Sequence, residues 1–311
     1  MMEYSHISVL RDEAVAALRL ADGGVYLDGT FGGGGYSRAI LEAASCRLYA
    51  IDRDPDAVAR AETLRADYPG RFEIMPGRIS ELSEMMAARK AGFLDGAVFD
   101  LGLSSYQIDD PARGFSFRQD GPLDMRMGRD GRDAASIVNL CAESELADIL
   151  YKYGDEKAAR RVAKAIVERR KVQKFATTAD LAGVIRGVVR PDKSGIDPAT
   201  RSFQALRIAV NEELADIEAA LEQAAAMLKP GGRLVVVSFH SLEDRIVKHF
   251  FAAQSGRVPA ASRHDPAGLA PVAAPRFRLV TKSPILPGAA EIRANPRARS
   301  AKLRVMERFA A

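Results

Sequence analysis

The 311-residue chain has no tryptophan and only two cysteines, Cys46 and Cys141. Two distant thiols exclude a disulfide-built scaffold and cannot hold a metal alone. They suit a reducing compartment, and a cytoplasmic protein is expected. No run approaches the roughly 18 apolar residues of a membrane span. The first residues, Met1–Val15, lack a basic region followed by an apolar block, so no secretory signal is expected. Internal repeats and low-complexity tracts are also missing. With 47% hydrophobic and 28% charged residues, the composition excludes a disordered or collagen-like chain. The length points to two domains, or to one domain carrying a large insertion.

Charge is present in modest excess but is unevenly placed. The net charge is +4 and the pI about 9.1. From Arg257 to the end there are 11 Lys/Arg against 3 Asp/Glu, and from Tyr151 to Phe175 there are 9 against 3. Two basic segments on a neutral-to-acidic body are an electrostatic hint of nucleic acid. The same residues would equally form a solvated helix face and a polar tail.

The first hundred residues alternate strand and helix patterns. Val25–Thr30, Cys46–Asp52, Arg71–Met75 and Gly96–Leu101 read as strands, with helices at Tyr36–Ala44, from Asp54 and at Ser80–Lys90. Pro55 stands at a favoured first helical position. Such alternation predicts a parallel sheet with right-handed crossovers. A fifth strand, Gly232–Phe239, follows a long helix pattern from about Ser202 to Leu228, with Lys229–Gly232 as a stop signal. Roughly 130 residues separate the fourth and fifth strands, where a dozen would suffice for a crossover. The excess predicts a helical insertion over about Pro111–Pro198. Ala159, Val162, Ala163, Ile166 and Val167 form one apolar helix stripe there. A helix at Ser241–Phe251 and strands at Arg276–Thr281 and Lys302–Glu307 complete a seven-stranded count, the last two as a pair at a sheet edge. Arg257–Pro275 and Ser283–Ser300 read as loops. The expected boundaries are 1–110 for the first part of an α/β domain, 111–200 for the helical insertion and 201–311 for the second part.

Asp28-Gly29-Thr30-Phe31-Gly32-Gly33-Gly34-Gly35-Tyr36 follows the first strand and opens the first helix. Ligands of open α/β sheets bind at the carboxyl ends of the strands, so a Gly-rich first turn points to a nucleotide-like cofactor. The chain has no Gly-Lys pair, which excludes a phosphate-cradling P-loop, and no glycine of the turn has partners at both +2 and +5, as a dinucleotide fingerprint requires. What remains is an acid at the end of strand one followed by alternating glycines. A second acid, Asp52, ends strand two and is suited to accept from both hydroxyls of a ribose. Asp28, the glycines and Asp52 resemble the first two motifs of class I S-adenosylmethionine (SAM)-dependent methyltransferases. In that fold Asp100, ending the fourth strand, faces the methyl donor. An acid there either accepts a hydrogen bond from an exocyclic amine and aims its lone pair at the sulfonium methyl, or simply caps a loop.

Longer blocks carry a more specific likeness. DGTFGGGG, IDRDP, FDLGLSSYQIDD, RGFSF and DGPLDMRM occur in that order, followed by SFHSLEDRIVKHFF and NPRARSAKLRVMER. Together they resemble the bacterial 16S rRNA cytosine-N4 methyltransferase family, also called MraW/RsmH, from about His6 to Arg308. The resemblance implies an α/β class I methyltransferase with a Rossmann-like seven-stranded sheet and an inserted helical domain. It implies SAM as cofactor, 16S rRNA of the small ribosomal subunit as partner, and methylation of a cytidine N4 at position 1402 in the decoding centre. Carried over motif by motif, the cofactor contacts fall on Gly34, Gly35, Tyr36, Asp52, Ile79, Asp100 and Gln107, with Asp100 catalytic. Three positions depart from the family pattern. Tyr36 stands where His is usual, Ile79 where Phe is usual, and Tyr106 where the pattern reads Ser-Ser-Pro-Gln. Tyr36 offers a hydroxyl with a different reach. Ile79 keeps an apolar adenine wall without stacking.

The RNA side is read from Ser104, Ser105, Phe115, Phe117, Arg126 and His240. The two phenylalanines either stack on an unpaired base or pack in the insertion. Arg126, beside Asp124, either meets a phosphate or forms an internal ion pair. His240 is either structural or at the reaction centre, and methylation of an aromatic amine requires no strong general base. No metal site and no membrane contact are expected. The oligomeric state stays open, a homodimer included. Two other functions compete: a methyltransferase for small molecules or proteins, which leaves the basic segments without a role, and a SAM-binding assembly factor without turnover, which would not need Asp100.

Overall fold

The computed structural model describes residues 8–191, 193, 195–257 and 275–310. His6 and the Arg257–Pro275 stretch, apart from the latter's two ends, lie outside them. Chain contacts divide the protein into two compact units, residues 1–102 with 214–311, and residues 103–213.

The first unit is built on a seven-stranded sheet. Its strands are β1 (Val25–Asp28), β2 (Arg47–Asp52), β3 (Phe72–Pro76), β4 (Leu94–Asp100), β5 (Leu228–Ser238), β6 (Phe277–Leu279) and β7 (Lys302–Arg308). They lie in the order β3-β2-β1-β4-β5-β7-β6. β1 to β5 pair in parallel, whereas β7 runs antiparallel between β5 and the edge strand β6. This is the expected class I methyltransferase architecture. The order turns back between β1 and β4, which makes their carboxyl ends the switch point where an open α/β sheet binds its ligand.

Side-chain alternation explains why the sheet is covered on both faces. Val98 of β4 and Val235 and Val237 of β5 face one core with α1 (Arg11–Leu18), α2 (Gly35–Ala43) and α3 (Pro55–Asp67). Ala97, Phe99, Leu234 and Val236 face the other, with α4 (Leu82–Ala88), α11 (Glu213–Met227) and α12 (Ser241–Gln254). A strand buried on both faces reads as a continuous apolar run, as Leu234–Val237 does.

The second unit contains α5 (Ser105–Asp109), α6 (Ala134–Leu140), α7 (Glu143–Gly154), α8 (Ala159–Val172), α9 (Thr178–Val188) and α10 (Thr200–Asn211). Its core includes Ala159, Val162, Ala163 and Ile166 from the α8 stripe, with Val167 partly buried beside them. Leu146 and Leu150 of α7 and Leu181 and Ile185 of α9 pack in the same core.

Four local expectations change. The single helix from Ser202 to Leu228 is two helices, because Glu212 takes a left-handed φ of 54° that ends α10. Asn211 fixes that break by donating to the Met125 carbonyl and accepting from Met127 N. The Lys229–Gly232 stop lies inside β5, where Gly231 has φ +80° and the pairing with β4 shifts register. Ser80–Lys90 begins as a 3-10 turn at Ile79–Glu81 before α4. Ser283–Ser300 holds α13 (Ala289–Ala294) and a 3-10 turn at Pro296–Ser300 that Asn295 caps.

Candidate active site

Three neighbouring strands each end in an aspartate, and the turn after β1 ties them together. Asp28 is fully buried, and accepts from Ser37 Oγ at 2.7 Å and Thr30 N at 3.1 Å. Burial outweighs these bonds and pushes its carboxyl up to about 6. Thr30 Oγ1 in turn accepts from Asp100 N at 2.6 Å, so the β1 turn is fastened to the end of β4.

The turn needs its glycines for backbone reasons. Gly34 has φ +76°, and a Cβ there would stand 2.7 Å from the Phe31 ring. Gly35 opens α2 against Ser8, and a Cβ would collide with the Ser8 hydroxyl. The chain can therefore pass close to a ligand without side chains in the way.

Asp52 is held from two sides. Its Oδ2 accepts from Gly32 N at 2.7 Å and its Oδ1 from Asp54 N at 2.8 Å. Each carboxylate oxygen keeps a further lone pair for a ligand hydroxyl. Asp54 then caps α3 by accepting from Asp56 N. Desolvation raises the Asp52 carboxyl above its ordinary range.

Asp100 differs from both. Its Oδ1 is buried and has no hydrogen-bond partner among the described residues. Burial, and then the nearby Asp28 and Glu243 carboxylates, raise it well above the usual carboxylate range. Leaving a buried acceptor unpaired costs about 1–3 kcal/mol, so this oxygen is suited to accept a hydrogen bond from a ligand donor. Glu243 lies fully buried at the start of α12, where its Oε2 accepts from Phe239 N and His240 N. His240 caps that helix through Nδ1, 3.3 Å from Glu243 N.

Ile79 begins the 3-10 turn after β3 and is partly buried against the sheet core. That turn is anchored from α11. Asp216 accepts from Arg78 Nε at 3.0 Å and from Ser80 Oγ at 2.6 Å, and its Oδ2 lies 3.5 Å from Arg53 Nη1. Gln223 donates to the Ser80 carbonyl and accepts from Ser83 N.

The first unit thus brings Gly34, Gly35, Asp52, Ile79 and Asp100 to the strand ends and their loops. Tyr36 follows as the second residue of α2; its side chain is buried, and its hydroxyl donates to the Val9 carbonyl. The remaining expected residues belong to the second unit, apart from His240. Ser104 caps α5, its Oγ accepting from Gln107 N while its N donates to Gln107 Oε1. Ser105 is the first residue of that helix, and Tyr106 beside it is exposed. Phe115 is buried in the helical core, and Phe117 packs edge-on against Phe203 with centroids 4.7 Å apart. Arg126 makes a two-bond ion pair with Asp124, at 2.9 and 2.7 Å, and donates to the Arg129 carbonyl. Sequence reading missed Thr30, Ser37, Asp216 and Glu243. Thr30 carried a signal as the threonine of the D-x-T-x-G-x-G pattern, and Glu243 as the acid three residues after the capping His240.

The strand-end set fits SAM. Asp100 offers a buried acceptor, Asp52 suits a ribose diol, side-chain-free backbone suits an amino-acid end, and Ile79 suits adenine. A family model for the MraW methylase family matches residues 3–309. Ribosomal RNA small subunit methyltransferase H of Acidiphilium cryptum is 66% identical over 308 residues, which cover 99% of this chain and 98% of that protein. The protein of the same name in Granulibacter bethesdensis is 55% identical over 304 residues, 97% of this chain and 91% of that one. A solved rRNA methylase from Streptococcus thermophilus superposes with a TM-score of 0.40 at 12% identity, covering 96% of this chain and 93% of that chain. The family and the strand-end geometry imply SAM as methyl donor, and the chain belongs to the MraW methylase family of methyltransferases.

Proposed function

We propose that this methyltransferase modifies the exocyclic N4 of a cytidine in 16S rRNA, at position 1402 in the decoding centre of the small ribosomal subunit. The names of the relatives support small-subunit rRNA as substrate. The observation that carries the amine chemistry is the buried, unpartnered Asp100 Oδ1. Bound SAM supplies an electrophilic methyl on a sulfonium. Gly34 and Gly35 take its amino-acid end, Asp52 its ribose and Ile79 its adenine, with Tyr36 supporting the turn from within. Asp100 accepts an N–H of the cytosine amine, which aims the nitrogen lone pair at the methyl group. Alignment in a dry site carries most of the rate. Its raised proton affinity also suits Asp100 to receive the proton that the amine sheds after transfer. Residues 111–200, within the helical unit 103–213, serve as the substrate-recognition domain, with Ser104 and Ser105 just before it; Gln107 keeps the cofactor role that the family resemblance gives it. No helix among the described residues is long and apolar enough to cross a membrane, and a ribosomal substrate assigns the enzyme to the cytoplasm.

The test is nucleoside mass spectrometry of 16S rRNA from cells lacking the protein, complemented with wild type or Asp100→Ala. Loss of one N4-methylcytidine in the deletion strain, restored only by wild type, is the expected result. An unchanged modification pattern in the deletion strain would overturn the assignment.

A further inference from the structure

The basic surplus of Tyr151–Phe175 divides into two kinds of cation. Arg169 pairs with Asp180 at 2.9 Å, and Arg170 donates to the Val138 and Cys141 carbonyls. Those two hold the helical unit together. Lys157, Arg160, Arg161 and Lys164 are exposed, and none of them makes an ion pair among the described residues. Helical spacing of 3.6 residues per turn sets Arg160, Arg161, Lys164 and Lys171 on one side of α8, opposite the buried Val162 and Ile166. Lys157 precedes the helix and is exposed. Glu168 is the one acid on this face, and it pairs with Lys171 at 2.8 Å. From Arg160 to Lys171 the face runs about 16 Å. Val172, at its end, is 87% exposed.

Like charges at helical neighbours repel and lower the stability of the helix. A packed core does not require them, since the buried stripe already fixes α8. An extended polyanion compensates such a face, because each phosphate contact releases counterions from the nucleic acid. We propose that the outer face of α8 binds the phosphate backbone of the substrate RNA. The inference rests on the rRNA reading above and adds a surface that holds the RNA strand.

The test compares the full-length wild type with a triple variant, Arg160→Gln, Arg161→Gln and Lys164→Gln. Binding to a naked 16S rRNA fragment and to small subunits is measured as a function of salt, alongside methylation kinetics. SAM affinity and the thermal midpoint report folding, and a triple lysine variant at Arg160, Arg161 and Lys164 serves as the charge-preserving control. The expected result is a slope of log affinity against log salt shallower by roughly 2, and a KM for subunits raised roughly tenfold. kcat and SAM affinity should hold, and the lysine variant should behave as wild type. Unchanged affinity and slope would overturn the proposal. So would weaker binding to subunits with unchanged binding to naked RNA, which would assign the face to a protein. Failure of wild type to methylate small-subunit rRNA at all would overturn the rRNA reading itself. That result is distinct from an active wild type whose triple variant is equally good.

Discussion

Asp216 should control cofactor binding although the geometry gives it no contact with the strand ends themselves. Its carboxylate is only 9% exposed and draws together loops from two strands, through Arg53 after β2 and Arg78 and Ser80 after β3. Ile79 sits between Arg78 and Ser80, so the apolar side chain proposed to meet adenine is aligned by this one acid. Asp216→Ala removes an ion pair whose arginine partner, Arg78, is 30% exposed. A fully buried pair broken on one side costs about 3–5 kcal/mol, and partial exposure of Arg78 lowers that figure. The lost Ser80 bond adds about 1 kcal/mol. A net destabilisation of about 3 kcal/mol is expected, with Asp216→Asn near half of it. Urea unfolding with an unchanged m-value measures the first quantity. Calorimetry with SAM measures the second, and affinity should fall by about tenfold or more while kcat at saturating SAM changes little. An alanine variant with wild-type stability and wild-type SAM affinity would refute the reasoning. A variant that loses kcat but not affinity would do so too.

Two other perturbations test the turn from its two sides. Gly35→Ala places a methyl group against the Ser8 hydroxyl and should cost about 1–3 kcal/mol and weaken SAM binding; Ser8→Gly in the same chain should recover most of the stability, and no recovery would refute the stated clash. Asp28 gives a pH signature. Its folded value of about 6 lies above the roughly 3.9 of an unfolded aspartate, so the native state holds the proton more tightly. The group thus favours folding below about pH 4 and loses that advantage as pH rises to 6, a change of about 3 kcal/mol. Asp28→Asn lacks the effect, so unfolding free energies from pH 4.5 to 7.5 should show wild type losing ground to the variant as pH rises. A constant difference would refute the assignment.

How much of this was legible in the sequence depends on whether the cause of each feature is local. The strands β1 to β5 were readable because a parallel strand buried on both faces must be a continuous apolar run, and Leu48–Ile51 and Leu234–Val237 are such runs. The break between α10 and α11 was not readable. Residues 202–228 keep an apolar helical period across it, and Glu212 has no intrinsic preference for the left-handed region it occupies. The break is held by Asn211 reaching residues 125 and 127, a contact 84 to 86 positions away. α1 was missed because eight residues with left-handed ends at Leu10 and Arg19 show little periodicity of their own.

The site divides along the same line. Asp52 and Asp100 could be proposed from position, since a carboxylate at the end of a parallel strand lies where ligands bind, and Gly34 and Gly35 from their place in the family motif. What each does there is decided by neighbours that the local pattern does not name. Asp52 and Asp100 look alike in sequence, both closing an apolar strand. Two backbone N–H groups satisfy Asp52, whereas one oxygen of Asp100 is buried near Asp28 and Glu243 and has no hydrogen-bond partner among the described residues. The first arrangement suits the ribose role proposed for Asp52. The second suits the amine-accepting role proposed for Asp100. Tyr36 shows how a neighbour narrows a role. Its place in the motif points to a cofactor contact, and with its hydroxyl committed to the Val9 carbonyl such a contact falls to its backbone. Its removal to Phe would therefore act on the core before it acts on the cofactor.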